Sequence, residues 1–234
     1  MRVAVIDSGV NQRHSHITPL AGGICVGENG ALETGDFSDY LGPGTAVTAA
    51  IQEKAPDAEY FAVRLFQTSL RTNIDGLFNA IHWAIDQRVN VINLSLGTSN
   101  IAHASRFDTT IERALQQDIS VVSAHGTDGK IYYPGCLPGV IRVGLDWACP
   151  RERYRYEEAA DGVVFYASGY PRSLPGMPRE RNLNGVSFAV ANMCGFVIRA
   201  CEAVANRDPD FRSADATKRA LMVEADTADA NALP

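Results

Sequence analysis

The sequence lacks the features that mark several large classes of protein. It has no stretch of 18 or more apolar residues, so neither a transmembrane helix nor a membrane partner is expected. It also has no run of basic residues, and its net charge is −6. Nucleic acids and anionic membranes both reward clustered lysine and arginine, so no nucleic-acid partner is expected. We find no internal repeat and no low-complexity segment.

The sequence also lacks a cysteine spacing typical of disulfide or metal sites, and it lacks an export signal. The five cysteines form an odd set without CxxC spacing, namely Cys25, Cys136, Cys149, Cys194 and Cys201. We interpret them as reduced thiols, and we expect neither a metal site nor any cofactor. Met1 and Arg2 lead directly into the apolar run 3–6, which leaves no room for a secretory signal. The expected location is the cytoplasm.

Strand and helix patterns alternate along the whole chain. Short apolar runs predict strands at 3–6, 24–26, 59–63, 89–94, 119–123, 140–143 and 163–166. Helical spacing predicts helices from 45 to 52, from Thr72 with Asp75 as a capping pair, at 109–117 and at 188–204. This alternation predicts an α/β fold: one domain over 1–234, with a mostly parallel central sheet, helices on both faces, and a frayed end from about residue 227.

Four short segments bring together side chains that could form a site. Asp7 follows the first apolar strand, where α/β proteins place functional groups, although alone it is more typical of a turn. Glycines on both sides of Pro43 allow a close backbone approach before a helix. Two later strands end in the small-residue segments 95–97 and 124–126, which could form cleft walls. Ser187 starts the most apolar helix, and a helix N-terminus favours an oxyanion.

In order and spacing, these segments resemble the subtilisin-like (S8) serine proteases from residue 3 to about 205. By that resemblance, Asp7 matches the acid of the catalytic triad and Ser187 matches the nucleophile. The family's histidine position is occupied by Pro43. The asparagine that stabilises the oxyanion is replaced by Thr127, and a calcium-binding loop of the family is missing after residue 51.

The departures fall on the chemistry of peptide cleavage. Proline has no titratable group, so the general base between Asp7 and Ser187 is absent. In this family, loss of the histidine alone lowers turnover by about 10⁶. Loss of the oxyanion asparagine costs about 10² to 10³. The resemblance therefore implies a pseudoprotease that keeps the cleft and has lost efficient cleavage.

Another histidine could replace the missing base. His125 is the strongest candidate because the family places this position beside the oxyanion hole, and it would leave an active peptidase or acyl-transfer enzyme. A base supplied by the substrate or a partner is a further possibility. The simpler interpretation is that His125 fills or narrows the specificity pocket. His14 and His16 follow Asp7 with H-x-H spacing, and a metal site there is a minor possibility.

The family's substrate pairs as an added strand with the segment that matches Ser95, Leu96 and Gly97, opposite a second wall at Ala124, His125 and Gly126. Such pairing uses backbone groups and survives loss of the triad. The expected partner is an extended peptide or protein segment, with a protein complex or homo-oligomer as a further possibility. A purely structural subunit, the remaining alternative, would bind nothing in the cleft.

Overall fold

The apolar runs of the sequence form one sheet of nine strands. The computed structural model describes residues 1–127, 129–207 and 213–230, with backbone alone at 228–230. The sheet contains β1 (Arg2–Asp7), β2 (Gly22–Val26), β3 (Leu32–Glu33), β4 (Glu59–Arg64), β5 (Val91–Leu94), β6 (Ser120–Ala124), β9 (Ile141–Leu145), β10 (Tyr154–Ala159) and β11 (Gly162–Ala167), while β7 (Gly126–Thr127) and β8 (Lys130–Ile131) form a separate hairpin.

The strand order is β10-β11-β9-β6-β5-β1-β4-β2-β3. All neighbours pair in parallel except at the two edges, where β10 and β3 run antiparallel to their partners. The central strands lack polar alternation because both faces of the sheet are covered. The predicted α/β fold with a mostly parallel sheet is confirmed.

Helices cover the two faces of the sheet and create two cores. They are α1 (Pro43–Gln52), α2 (Ile74–Asp86), α3 (Ala104–Leu115), α4 (Val186–Arg207) and α5 (Ala214–Ala230). Side chains alternate along β1, so Val3 and Val5 pack in the core with α1 and α4, whereas Ala4 and Ile6 pack in the core with α2 and α3. The sheet is therefore held between two apolar layers.

The longest helix, α4, lies at the centre of the first core. It has the length and apolar composition of a membrane span, but 67% of its most apolar stretch is buried inside the protein. This burial is what the all-round apolar pattern predicts for a core helix. Its first turn carries Ser187.

Some sequence predictions differ from the structure. The cap of α2 is Asn73, whose side chain accepts a hydrogen bond from the Gly76 N–H at 2.6 Å, and not Thr72. α3 begins at Ala104, earlier than predicted. β10 and α5 were not predicted, because β10 is a mostly exposed edge strand rich in charge and α5 has little apolar character. α5 continues to Ala230, past the expected fraying point; 231–234 lie outside the described residues.

Candidate active site

The predicted site residues lie at the carboxyl ends of three central parallel strands. Asp7 ends β1, Ser95 follows β5, and Ala124 ends β6, and these three strands are neighbours. The carboxyl ends of neighbouring parallel strands lie side by side, and open α/β sheets bind ligands just beyond these ends. The segments that the sequence analysis singled out are therefore brought together by the order of the strands.

Asp7 is buried, with 5% of its surface exposed. Its carboxyl accepts a hydrogen bond from the Ser8 N–H at 2.8 Å. Within the described part of the chain, no imidazole or cation bonds to it. Burial raises the pKa of Asp7 from 3.8 to about 7, the bonds from Ser8 oppose this rise, and the Asp39 carboxylate adds to it. An acid that orients an imidazolium is ionised. With a pKa of about 7, the Asp7 carboxyl is protonated in about half of the molecules at pH 7.

Asp39 is a structural carboxylate that the sequence analysis missed. It accepts hydrogen bonds from the backbone N–H groups of Leu41, Gly42 and Thr45 and from the hydroxyls of Thr45 and Ser8, at 2.7 to 2.9 Å. These bonds satisfy free N–H groups at the start of α1, and a carboxylate there is favoured by the helix dipole. An aspartate just upstream of a predicted helix was the available signal.

Pro43 is the first residue of α1. Gly42 before it has φ of 104°, a conformation that favours glycine. The Gly44 N–H donates a hydrogen bond to the Ser8 hydroxyl oxygen at 2.9 Å, so the start of α1 lies directly against the turn after Asp7. The position that the family resemblance assigns to the histidine is thus close to Asp7, and proline offers no titratable group there.

Ser187 lies in the first turn of α4 and contacts the segment after β5. Its hydroxyl donates to the Ser95 carbonyl at 3.1 Å, and the Ser95 hydroxyl donates to the Ser187 carbonyl at 3.3 Å. Asn93 supports this pair, because its side-chain N–H donates to the Ser95 hydroxyl at 2.8 Å. The candidate nucleophile is therefore bonded to a backbone carbonyl and to no base among the described residues.

The cleft segment, defined here as Ser95, Leu96 and Gly97, continues β5 beyond the sheet. Ser95 is buried, Leu96 is half-buried and Gly97 is exposed. Thr98 then pairs with Tyr133 through two backbone hydrogen bonds. Within the described residues, no backbone hydrogen bond is formed by the N–H or C=O groups of Leu96 and Gly97. An exposed stretch with free backbone groups is suited to pairing with a further strand.

The second predicted wall contains Ala124, His125 and Gly126, and Thr127, at the predicted oxyanion position, follows it. Ala124 is buried, and the other three are half-buried. The Thr127 hydroxyl lies 3.1 Å from the Tyr132 hydroxyl, so it already has a hydrogen-bond partner. The His125 Nδ1 atom is buried without a partner in the described chain. His125 and Thr127 are brought to one wall, but neither bonds to Ser187.

His125 lines a cavity of about 450 Å³ between the β7–β8 hairpin and the ends of β9 and β11. The residues lining it include Thr127, Lys130, Leu145, Trp147, Val164 and Tyr166. This position agrees with a histidine that forms part of a pocket wall. It gives no support to a hydrogen bond between His125 and the candidate nucleophile.

His14 and His16 lie together beside α1. Their ring centroids are 5.1 Å apart. In 1–127, 129–207 and 213–230, no group of three or more His, Cys, Asp or Glu side chains is placed to hold a metal ion. The H-x-H pair therefore lacks a third protein ligand. It lines a second cavity, of about 210 Å³, that sequence reasoning did not anticipate.

The fold and these motifs define a class of protein: the chain belongs to the subtilase family of peptidases (Peptidase S8), whose family model matches residues 1–233. Subtilisin E of Bacillus subtilis is 27% identical over 236 residues, covering 94% of this chain and 59% of its own length. The intracellular serine protease of Paenibacillus polymyxa is 27% identical over 214 residues, covering 83% and 64% respectively. The chain thus spans less than two thirds of the length of either relative.

Solved structures share the fold. A lanthipeptide protease superposes with a TM-score of 0.69 at 18% identity, covering 92% of this chain and 77% of the other. The prenylagaramide maturation protease PagA superposes with a TM-score of 0.67 at 22% identity, covering 92% and 79%. Relatives include intracellular and extracellular proteases. The roles of Asp7, Pro43, Thr127 and Ser187 stay predictions from the motifs.

Proposed function

We propose that this protein is a subtilisin-like pseudoprotease that binds an extended peptide or protein segment without efficient cleavage. The observation that carries the proposal is the bonding of the candidate triad. Asp7 accepts from Ser8, Ser187 donates to the Ser95 carbonyl, and Pro43 stands at the start of α1 near Asp7. A serine hydroxyl without an adjacent base is a weak nucleophile near neutral pH.

The cleft segment supports the binding half of the proposal. The backbone groups of Leu96 and Gly97 have no backbone partner in the described chain. A peptide laid along them gains main-chain hydrogen bonds and needs no catalytic group. The Ser95 carbonyl already accepts a hydrogen bond from the Ser187 hydroxyl, so the backbone groups available to the ligand are those of Leu96 and Gly97.

Cleavage is tested with a fluorophosphonate probe and chromogenic peptides, with subtilisin E as the positive control. We expect no labelling and no turnover by the wild type, because no base activates Ser187. Turnover that disappears in Ser187→Ala would overturn the pseudoprotease proposal. Turnover that also disappears in His125→Ala would establish the peptidase alternative with His125 as its base.

Binding is tested with a library of extended peptides, each compared with versions methylated at alternate backbone nitrogens. Strand addition uses N–H groups on one edge of the peptide, so methylation at one set of alternate positions should abolish binding while the other set leaves it intact. Equal effects of the two sets would place the peptide elsewhere. No binding by any peptide would favour the structural-subunit alternative.

We also propose a reducing compartment, the cytoplasm, as the site of action. All five cysteines are free, and Cys25 and Cys194 are buried. Free buried thiols are typical of proteins that do not rely on disulfides. A cell fractionation experiment that finds the protein in the culture medium would contradict this proposal.

A further inference from the structure

The cavity beside α1 is separate from the cleft segment and from the His125 cavity. We call it the α1 cavity; it lies between the first half of α1 and the loop 171–183 that precedes Ser187. Its volume, about 210 Å³, is on the scale of one amino-acid residue and below the roughly 300–1,000 Å³ of drug-sized sites. Its lining includes the polar residues Asn11, His14, His16, Asp39 and Arg172.

The polar side of the α1 cavity is rich in donors. The side-chain N–H groups of Asn11 and the imidazole of His16 have no hydrogen-bond partner within the described residues. The contact of Arg172 with Glu53 is a long one, 3.6 Å from Nε, which leaves its terminal N–H groups available. The carboxylate in the lining, Asp39, already accepts five hydrogen bonds and lies at the start of α1.

A cluster of cations lies behind this donor-rich side. Glu53 is approached by Arg151, Arg172 and Lys54, so one carboxylate is shared among three positive groups. Carboxylates lie nearby as well, since Glu152 acts on Lys54 and Asp39 lines the cavity with its five hydrogen bonds already made. Arg172 is the arginine that lines the cavity itself, and a guanidinium at a recessed surface attracts an anion.

Part of the lining is apolar. Ala46 and Ala49 come from α1, and Pro171, Leu174 and Leu183 come from the loop. An inorganic anion leaves these surfaces unused, whereas a group that joins a carboxylate to a small apolar body meets both sides. We propose that the α1 cavity binds the free carboxylate and apolar side chain of the last residue of a peptide.

The position of the cavity favours a peptide end over a free acid. Two of its lining residues are close in the chain to the candidate site. Gly42 directly precedes Pro43, and Leu183 lies shortly before Ser187. A peptide held in the cleft can therefore place its last residue in the cavity. The assignment to a peptide end rests on the proposed function, but the carboxylate chemistry of the cavity does not.

Binding of a carboxylate should be accompanied by proton uptake at His16. Burial lowers the pKa of His16, as do Arg172, His14 and Arg151, while Glu53 raises it; Asp39 shares the same cavity. A bound carboxylate adds negative charge beside the ring and raises this pKa. Affinity should therefore increase as the pH falls towards and below about 6.5, the ordinary range of a histidine.

The test uses N-acetyl-leucine and N-acetyl-leucinamide, which differ only in the charged carboxylate and are too short to pair along the cleft segment. Binding is followed by NMR at the His14 and His16 imidazoles. We expect the acid to bind and the amide not to bind. Arg172→Gln should weaken acid binding about tenfold, because the carboxylate loses a charge-assisted hydrogen bond. Arg181→Gln, an exposed arginine of the same loop, is the matched control and should change nothing.

Two further variants test the apolar side. Ala46→Leu fills the cavity from α1, and Leu174→Asp replaces an apolar group from the surface loop by a carboxylate. Both should abolish binding, and Leu174→Asp decides the matter if Ala46→Leu does not fold.

Four outcomes would overturn the proposal: no binding of the acid, equal binding of acid and amide, equal losses in Arg172→Gln and Arg181→Gln, or phosphate and acetate binding as tightly as N-acetyl-leucine. If the acid binds as expected while extended peptides with a free and an amidated end bind equally, the site takes free acids and the peptide assignment fails. Failure of the cleft test alone leaves the N-acetyl-leucine result unaffected.

Discussion

Replacement of Asp7 by asparagine tests whether this buried carboxyl has lost its cationic partner. The pKa of Asp7 is raised from 3.8 to about 7, chiefly by burial. Below about pH 4 the carboxyl is protonated in both the folded and the unfolded chain. Between about pH 4 and 7 the unfolded chain loses the proton while the folded chain keeps it, so Asp7 lowers the free energy of unfolding as the pH rises. Above about pH 7 the loss is complete.

The size of the effect follows from the distance between the two pKa values. One pH unit corresponds to about 1.4 kcal/mol, so the ionised form of Asp7 costs about 4 kcal/mol of stability at pH 8. For a chain of this length this amounts to roughly 10 °C in melting temperature. The side chain introduced by Asp7→Asn would still accept from the Ser8 N–H, but its buried N–H₂ group adds a cost of about 1–3 kcal/mol at every pH.

The assay is a melting curve for wild type and Asp7→Asn at each pH from 4 to 9. We expect the melting temperature of Asp7→Asn to rise relative to that of the wild type between pH 4 and 7. Above pH 8 the difference in melting temperature should stay constant. Asp108→Asn, at an exposed carboxylate on α3, is the control for replacing a carboxyl by an amide. If the wild type instead gains stability relative to Asp7→Asn as the pH rises, then Asp7 is ionised and paired with a cation, and the reasoning fails.

Three further predictions concern the missing histidine, calcium and the cleft segment. Pro43→His alone should leave peptide hydrolysis far below that of subtilisin E, because Thr127 is bonded to Tyr132 and is a weak oxyanion donor; adding Thr127→Asn should raise the rate above either single variant. A chromogenic peptide assay measures both, and subtilisin-like turnover by Pro43→His would show that only the histidine is missing from the catalytic machinery. EDTA should leave the melting temperature unchanged, because the family resemblance predicts that the short connection between α1 and β4 has no calcium loop. A fall of many degrees would reveal a bound ion. Gly97→Trp should destabilise the fold, since a Cβ there would lie 2.7 Å from the Tyr133 carbonyl oxygen. Ser99→Trp, at an exposed position nearby, is the control and should not destabilise it. Urea unfolding measures both, and equal midpoints for the two variants would contradict the prediction.

The Gly97 geometry also changes how the cleft can be examined. On the sequence alone, Gly97→Trp is predicted to block the cleft and to leave the core unchanged. In the structure, Gly97 is exposed, yet its Cα faces the backbone of the neighbouring Tyr133 segment. The N-methylated peptides avoid this problem, because they alter the ligand and leave the protein unchanged.

The sequence by itself determined the fold and the family. Apolar runs such as 3–6, alternating with helical patterns, are typical of a parallel sheet covered on both faces, and motifs around Asp7, Gly97 and Ser187 keep their order and spacing. It also predicts, from the motif around Pro43, that a proline stands in the family's histidine position. Exposed elements without apolar periodicity, β10 and α5, left no such signal.

Only the tertiary structure decided which groups bond to one another. Asp39, His16 and Arg172 are separated along the chain, and no local pattern relates them, yet they line one cavity because α1 packs beside the loop 171–183. The Ser187 hydroxyl faces the Ser95 carbonyl through the crossing of α4 over the end of β5. Hydrogen bonding, burial and pKa depend on distances between remote segments, and those distances exist only once the chain has folded.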